Sequence, residues 1–135
     1  MIHGIDHVAV AVENIDEALA MFERTLGLRA EHREVIEGYG VEVATIRLGP
    51  TAIELVQGTT PDSPISKYVA KRGPGIHHIA LEVDDIASEL SRLEAAGADL
   101  IDRTPRVGKQ ESRVAFIHPR STGKILYELV QNKKR

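Results

Sequence analysis

The sequence predicts an α+β fold built from two tandem βαβββ modules, and three observations carry that prediction. A histidine-bearing strand occurs twice, as Ile5-Asp6-His7-Val8-Ala9-Val10-Ala11-Val12 and Ile76-His77-His78-Ile79-Ala80-Leu81-Glu82-Val83. A glutamate-bearing strand also occurs twice, as Ile53-Glu54-Leu55-Val56-Gln57 and Tyr127-Glu128-Leu129-Val130-Gln131. Between them, the remaining helix and strand patterns run in the same order in each half. His7 and His78 lie 78 − 7 = 71 positions apart, and Glu54 and Glu128 lie 128 − 54 = 74 apart. Self-similarity on this scale marks a duplicated unit.

Residues 5–12 alternate, with Val8, Val10 and Val12 on one side and His7, Ala9 and Ala11 on the other, the signature of a strand with two different faces. Asn14 or Asp16 then caps a helix whose apolar positions are Ile15, Ala18, Leu19, Phe22 and Leu26, and Gly27 ends it in a left-handed conformation. Strands follow at 29–35, 41–48 and 53–57, separated by turns at Glu37-Gly38-Tyr39-Gly40 and Gly49-Pro50-Thr51. In the second half, residues 77–83 alternate again. Asp84 or Asp85 caps a helix through Ile86, Leu90, Leu93 and Ala96 that closes at Gly97. Further strands are expected at 99–103, 113–118 and 125–131. Between the halves, Asp62-Ser63-Pro64-Ile65 starts a short helix with proline in its first turn, and Arg72-Gly73-Pro74-Gly75 stops it. Module 1 thus covers about 1–57, a linker with a short helix about 58–75, and module 2 about 76–135. One βαβββ unit is too small to bury its own sheet, so the whole of 1–135 is read as a single domain.

Composition narrows the function. The hydrophobic fraction of 42% and charged fraction of 27% are those of an ordinary globular chain. A net charge of −3 gives no electrostatic footprint for nucleic acid or anionic lipid, and the basic end Lys133-Lys134-Arg135 reads as a solvated terminus. The absence of cysteine removes disulfides and thiolate ligands. No signal peptide pattern opens the chain and no apolar run suffices for a membrane span, so a cytoplasmic protein is expected.

The repeat also names the candidate site. A single strand histidine is usually structural, but histidines at matching places in two copies point to a shared role. Because His7 aligns with His78, the neighbouring His77 falls on the opposite face. His118 sits at a strand end, and His3 and His32 are read as solvent-facing. Glu54 and Glu128 each sit within apolar runs, where an ionised carboxylate must be paired or metal-bound. His7, Glu54, His78 and Glu128 together form an N2O2 set suited to a divalent cobalt, manganese, nickel, zinc or iron ion. A metal held in this way polarises a carbonyl and stabilises the charge left when an adjacent C–H loses its proton.

With these strands the chain resembles the vicinal oxygen chelate superfamily, and within it the methylmalonyl-CoA epimerase family. Beyond the ligand strands, the matching stretches include Asp62-Ser63-Pro64-Ile65, Gly75-Ile76-His77-His78, Pro105-Arg106-Val107-Gly108, Phe116-Ile117-His118-Pro119 and Gly123-Lys124-Ile125-Leu126-Tyr127-Glu128-Leu129. The resemblance implies a cupped mixed sheet around the metal with helices outside, cobalt as the favoured ion (magnesium, manganese, nickel or zinc as others), and a homodimer. It implies a CoA thioester substrate, (R)- and (S)-methylmalonyl-CoA, interconverted by proton transfer at the carbon next to the thioester. It places the ligands at His7, His78 and Glu128, with Glu54 where some relatives have glutamine, and makes Glu128 a proton-transferring base. A second base stands three residues after a glycine in some relatives, which here falls on Val43. Glu42 by a register shift, Glu54, or a water are the alternatives. Lys67, Lys71, Arg72, Arg106 and Lys109 are candidates for coenzyme A phosphates, and Ser63 is read as a helix cap. Two other readings share the fold: a glyoxalase I-like lactoylglutathione lyase, which uses the same N2O2 set, and a non-catalytic binding protein. A fourth ligand counts against an iron(II) dioxygenase.

Overall fold

The computed structural model describes residues 1–133. Lys134 and Arg135 of the expected basic end lie outside the described residues. Lys133 contacts Glu111 through its ammonium group. The first module runs β1 (Ile2–Ala11), α1 (Ile15–Leu26), β2 (His32–Ile36), β3 (Val41–Leu48) and β4 (Thr51–Gly58). After α2 (Pro64–Arg72), the second runs β5 (Gly75–Val83), α3 (Ile86–Ala95), β6 (Arg106–Val107), β7 (Arg113–Ile117) and β8 (Tyr127–Gln131). Both modules are therefore βαβββ, and the α+β class read from the sequence holds.

Contacts divide the chain into two compact units, residues 8–77 and residues 1–7 with 78–135. Strand β1 contributes its last residues to the former and its first to the latter. The former has strand order β2-β3-β4-β1, and the latter β1-β5-β8-β7-β6. In the latter, β5 and β8 are parallel while β7 is antiparallel to β8 and to β6, a mixed arrangement.

In the unit of residues 8–77, Asn14 caps α1 by accepting from the Glu17 amide at 2.9 Å, and Gly27 closes it at φ 68°. The apolar face of α1 packs Ile15 onto Ala44, Ile46 and Leu55. On the opposite side of β3 and β4, Val41, Val43 and Val56 pack with Ala11 against Ile65, Tyr68 and Val69 of α2. Ser63 caps α2 by accepting from the Ser66 amide, as expected, with Pro64 in the first turn.

In the unit containing β5–β8, Asp85 caps α3 through the Ser88 amide, and Ile86 and Leu90 pack onto Val83, Ala115, Ile117 and Leu129. The strand expected at 99–103 does not form; Leu100 makes one isolated bridge to Ile117, and the second strand of the module is displaced to Arg106–Val107. The reason is side-chain competition. The Asp102 carboxylate accepts the Phe116 amide at 2.9 Å, taking the place of a backbone carbonyl, and Ile101 and Asp102 both donate to the Phe116 carbonyl. Strand β8 begins at Tyr127 rather than Ile125, after a turn in which Lys124 takes φ 72°.

Candidate metal centre

Alternation sorts the ligand candidates before any contact is considered. On β5 and β8 the pairing Ala80↔Glu128 and Leu81↔Leu129 sets Leu129 under α3 and Glu128 on the opposite face. His78, two residues before Ala80, shares that face. His7 arrives on β1. All three side chains are buried, at 6% exposure for His7, 7% for His78 and 6% for Glu128.

Their donor atoms converge. His7 Nε2 lies 3.4 Å from His78 Nε2 and 3.2 Å from Glu128 Oε1, and His78 Nε2 lies 3.1 Å from the same oxygen. A first-row dication binds imidazole nitrogen and carboxylate oxygen at about 2.0–2.2 Å, so donors at octahedral or tetrahedral angles stand roughly 3.0–3.4 Å apart. The observed triangle matches that spacing on all three edges. The chemistry of the donors agrees with the spacing. His7 Nδ1 donates to Asp6 Oδ2 at 2.7 Å, so a neutral ring turns its Nε2 lone pair inward. A nitrogen lone pair facing a second ring nitrogen and a carboxylate calls for a cation. The residues present fit a divalent metal.

The carboxylates are tuned accordingly. Burial works to raise the Glu128 pKa, but its contacts with the His7 and His78 rings outweigh it and hold the group at about 2. Burial likewise opposes ionisation of Asp6, and bonds from His7 and Asn132 hold its carboxyl below the usual value. Asn132 Nδ2 donates to Asp6 Oδ1 at 2.8 Å and to Glu82 Oε2 at 2.7 Å. On the far side, the Phe116 ring meets the His78 ring edge to face at 5.1 Å between centroids.

Glu54, the fourth candidate, is buried on β4 of the unit of residues 8–77, opposite Thr45 of β3. Val43 is buried opposite Val56 on that same face. Glu42 does not turn inward. The β3–β4 register pairs it with Gln57 on the helix side, where Arg33 holds it at 2.8 Å. The one-residue shift that would make Glu42 a base is therefore absent, because it would break the whole ladder.

The remaining histidines have local roles. His77 is half-buried and meets the Tyr68 ring of α2 at 4.8 Å, on the side away from His78. His118 accepts the Arg120 amide and starts a 3-10 turn. His3 lies against Glu82 and Asp84, and His32 against Glu34, all partly exposed. Among the basic candidates, Lys67 and Lys71 are exposed, Arg72 sits over the Tyr68 ring, and Arg106 reaches Asp102 at 3.6 Å.

Sequence reasoning did not find Asp6 and Asn132. An acid next to a ligand histidine is a ready acceptor for its second nitrogen, and that signal was visible for Asp6. Nothing local marks Asn132, which meets Asp6 from 126 positions away.

Comparison with known proteins places this geometry. A sequence model of the glyoxalase/bleomycin resistance protein/dioxygenase superfamily matches residues 6–116, and the chain belongs to that superfamily. Within it, the chain is closely related to the methylmalonyl-CoA epimerases. It is 37% identical to the ethylmalonyl-CoA/methylmalonyl-CoA epimerase of Cereibacter sphaeroides, covering 97% of this chain and 99% of that one. It is 38% identical to the Bacillus subtilis uncharacterized protein YqjC, over 96% of this chain and 92% of that one. A crystallised variant of the Streptomyces coelicolor methylmalonyl-CoA epimerase, bound to 2-nitronate-propionyl-CoA, superposes with a TM-score of 0.94 at 30% identity, over 98% of this chain and 96% of that one.

Proposed function

We propose that the protein is a metal-dependent epimerase that interconverts (R)- and (S)-methylmalonyl-CoA by moving a proton at the carbon next to the thioester. The buried triangle of His7, His78 and Glu128 carries the reading, because its spacing and donor types suit one divalent ion. The relationship to epimerases acting on this substrate supplies the substrate class. A second finding agrees: the relative bound to 2-nitronate-propionyl-CoA shares the fold along nearly its whole length.

On this reading His7, His78 and Glu128 hold the ion, and Glu54, the repeat partner of Glu128, completes an N2O2 set. Cobalt is the ion we favour. When bound, such an ion supplies the positive charge that makes a proton next to a carbonyl easier to remove. The protein's own part is to exclude water and to handle the proton. Glu128 turns Oε1 to both imidazoles, which leaves Oε2 as the atom assigned to take the proton from one side of the carbon and return it. Val43 offers no proton carrier and Glu42 is tied to Arg33, so the opposite side falls to Glu54 or to water. Cytoplasmic location and a homodimeric assembly belong to the same proposal. Among the described residues no helix is long and apolar enough to cross a membrane.

The test is proton NMR of methylmalonyl-CoA in heavy water with the cobalt-loaded protein. Deuterium entering the carbon next to the thioester, with both stereoisomers formed from one, is the expected result. No exchange, with turnover of the methylglyoxal–glutathione adduct instead, overturns it in favour of lyase chemistry.

A further inference from the structure

The two ligand histidines occupy matching places in the repeat, yet their immediate surroundings differ. The residue before His7 is an acid, Asp6, and it accepts the Nδ1 proton of that ring at 2.7 Å. The residue before His78 is His77, which turns away to the Tyr68 ring. The repeat has thus placed a carboxylate behind one imidazole and a second imidazole at the equivalent position of the other.

Asp6 is not free to rotate out of this role. Its side chain is only 12% exposed, and its two oxygens are divided between two donors, Oδ2 to His7 and Oδ1 to Asn132 Nδ2. Asn132 is fixed in turn, because both bonds from its amide nitrogen go to carboxylates, Asp6 and Glu82. Glu82 faces His3 at 3.7 Å, and His3 reaches Asp84 at 2.9 Å, which carries the chain of polar contacts out to the surface. A residue just beyond the end of β8 therefore braces a side chain on β1 that otherwise has no covalent or ladder link to it.

We infer that Asp6, braced by Asn132, is a positioning residue that fixes the proton of His7 on Nδ1 and so holds its Nε2 ready as a ligand atom. Two consequences follow from the hydrogen-bond chemistry. The ring cannot place its proton on Nε2 without forfeiting the charge-assisted bond, so its inward lone pair is available to a cation at no cost of tautomer exchange. The carboxylate also raises the donor strength of the ring it holds, and losing such a partner typically weakens metal binding roughly 10- to 100-fold. The inference rests on the metal reading above, and its first test does not.

That first test is the proton position itself. Long-range nitrogen–proton correlation on the 15N-histidine-labelled, metal-free wild type is expected to show the His7 proton on Nδ1. A ring protonated on Nε2 alone overturns the assignment whatever the protein binds. The second test is calorimetric titration with cobalt chloride. Asp6→Ala is expected to lose roughly 10- to 100-fold in affinity. Asp6→Asn keeps an acceptor oxygen and is expected to lose less, and Asn132→Ala least, in the same direction. His77→Ala, at the matching place in the repeat, should bind as the wild type does. Equal affinity of Asp6→Ala and wild type overturns the inference while leaving the metal site intact. A wild type that binds no cobalt overturns the proposed function, and the proton position then decides the role of Asp6 alone. Should Asp6→Ala not fold, Asp6→Asn and the wild-type correlation decide it.

Discussion

On the helix side of the first module Ala44 pairs with Leu55, and on that of the second Ala115 pairs with Leu129. Gln57 accepts the Ile15 amide at the start of α1 at 2.8 Å; Gln131 accepts the Ile86 amide at the start of α3 at 2.9 Å. The opposite faces begin alike, with Val43 across from Val56 and Val114 across from Val130. They then part company: Glu54 faces Thr45, while Glu128 faces Phe116, which packs on His78. In the first module, moreover, α2 covers part of this face. Each helix terminus brings amides that must be satisfied when buried, so the helix sides answer one demand in both copies. The other faces answer to what they hold. Glu128 belongs to the buried triangle, and its partner in the repeat sits in a different setting.

The largest expected effect breaks the symmetry of the two glutamates. Glu128→Gln keeps shape but removes a charged oxygen, the proposed ligand, and the proposed base. It should depress turnover by roughly 10²- to 10⁴-fold, the usual worth of a positioned acid–base group. Metal affinity should fall far less. Glu54→Gln should retain much more activity. Steady-state kinetics with calorimetry on both variants checks this. Equal losses would mean that the two modules contribute alike and that Glu54, rather than water, serves the opposite side of the carbon.

Metal removal comes next. A ligand that binds only the folded chain stabilises it by about 2.7 kcal/mol at a hundredfold excess over its dissociation constant. Thermal unfolding with cobalt and with excess chelator should therefore differ by several degrees. His7→Ala and His78→Ala should each remove most of that difference. A shift that survives both would place the binding elsewhere.

Acid sharpens the comparison further. The Glu128 carboxyl titrates at about 2 in the folded chain against an ordinary 4.5. A depressed carboxylate pKa contributes stability that is complete above the unfolded value and is lost as pH falls through the folded one. Between about pH 4.5 and 2 the metal-free wild type should lose stability that Glu128→Gln never had, so the two unfolding curves should converge as the pH drops. Parallel curves would show that Glu128 gains nothing from its imidazoles.

Much of this organisation was legible in the chain because strand alternation and helix caps are local. The histidine and glutamate strands, Gly27, Ser63 and the two modules needed only neighbours a few residues apart. A further echo was present but less obvious: Val43-Ala44-Thr45-Ile46 and Val114-Ala115-Phe116-Ile117 repeat at 114 − 43 = 71, the same offset as the histidines. The glutamates are offset by three more because Ile46 pairs with Ile53 across seven positions, whereas Ile117 pairs with Tyr127 across ten. The β7–β8 turn houses the difference. The strand expected at 99–103 failed because a side chain, Asp102, took over a ladder bond, and propensity does not encode that competition. The brace from Asn132 to Asp6 depends on chain segments brought together only by folding, so no local pattern announces it.

The smallest effect tests whether the helix sides are as equivalent as they look. Gln57 and Gln131 each satisfy the first amide of a helix whose third amide is already taken by Asn14 or Asp85. Removing either side chain leaves one amide to find water at a half-buried site, at a cost of about 1 kcal/mol. Gln57→Ala and Gln131→Ala should therefore lower the unfolding free energy by the same small amount in chemical denaturation, and neither should change cobalt affinity. The two positions lie three residues after Glu54 and Glu128, so they project to the other side of their strands and act on the helices rather than on the ligands. A drop in affinity confined to Gln131→Ala would show that the start of α3 helps aim Glu128, and that the two helix sides are coupled to the site unequally.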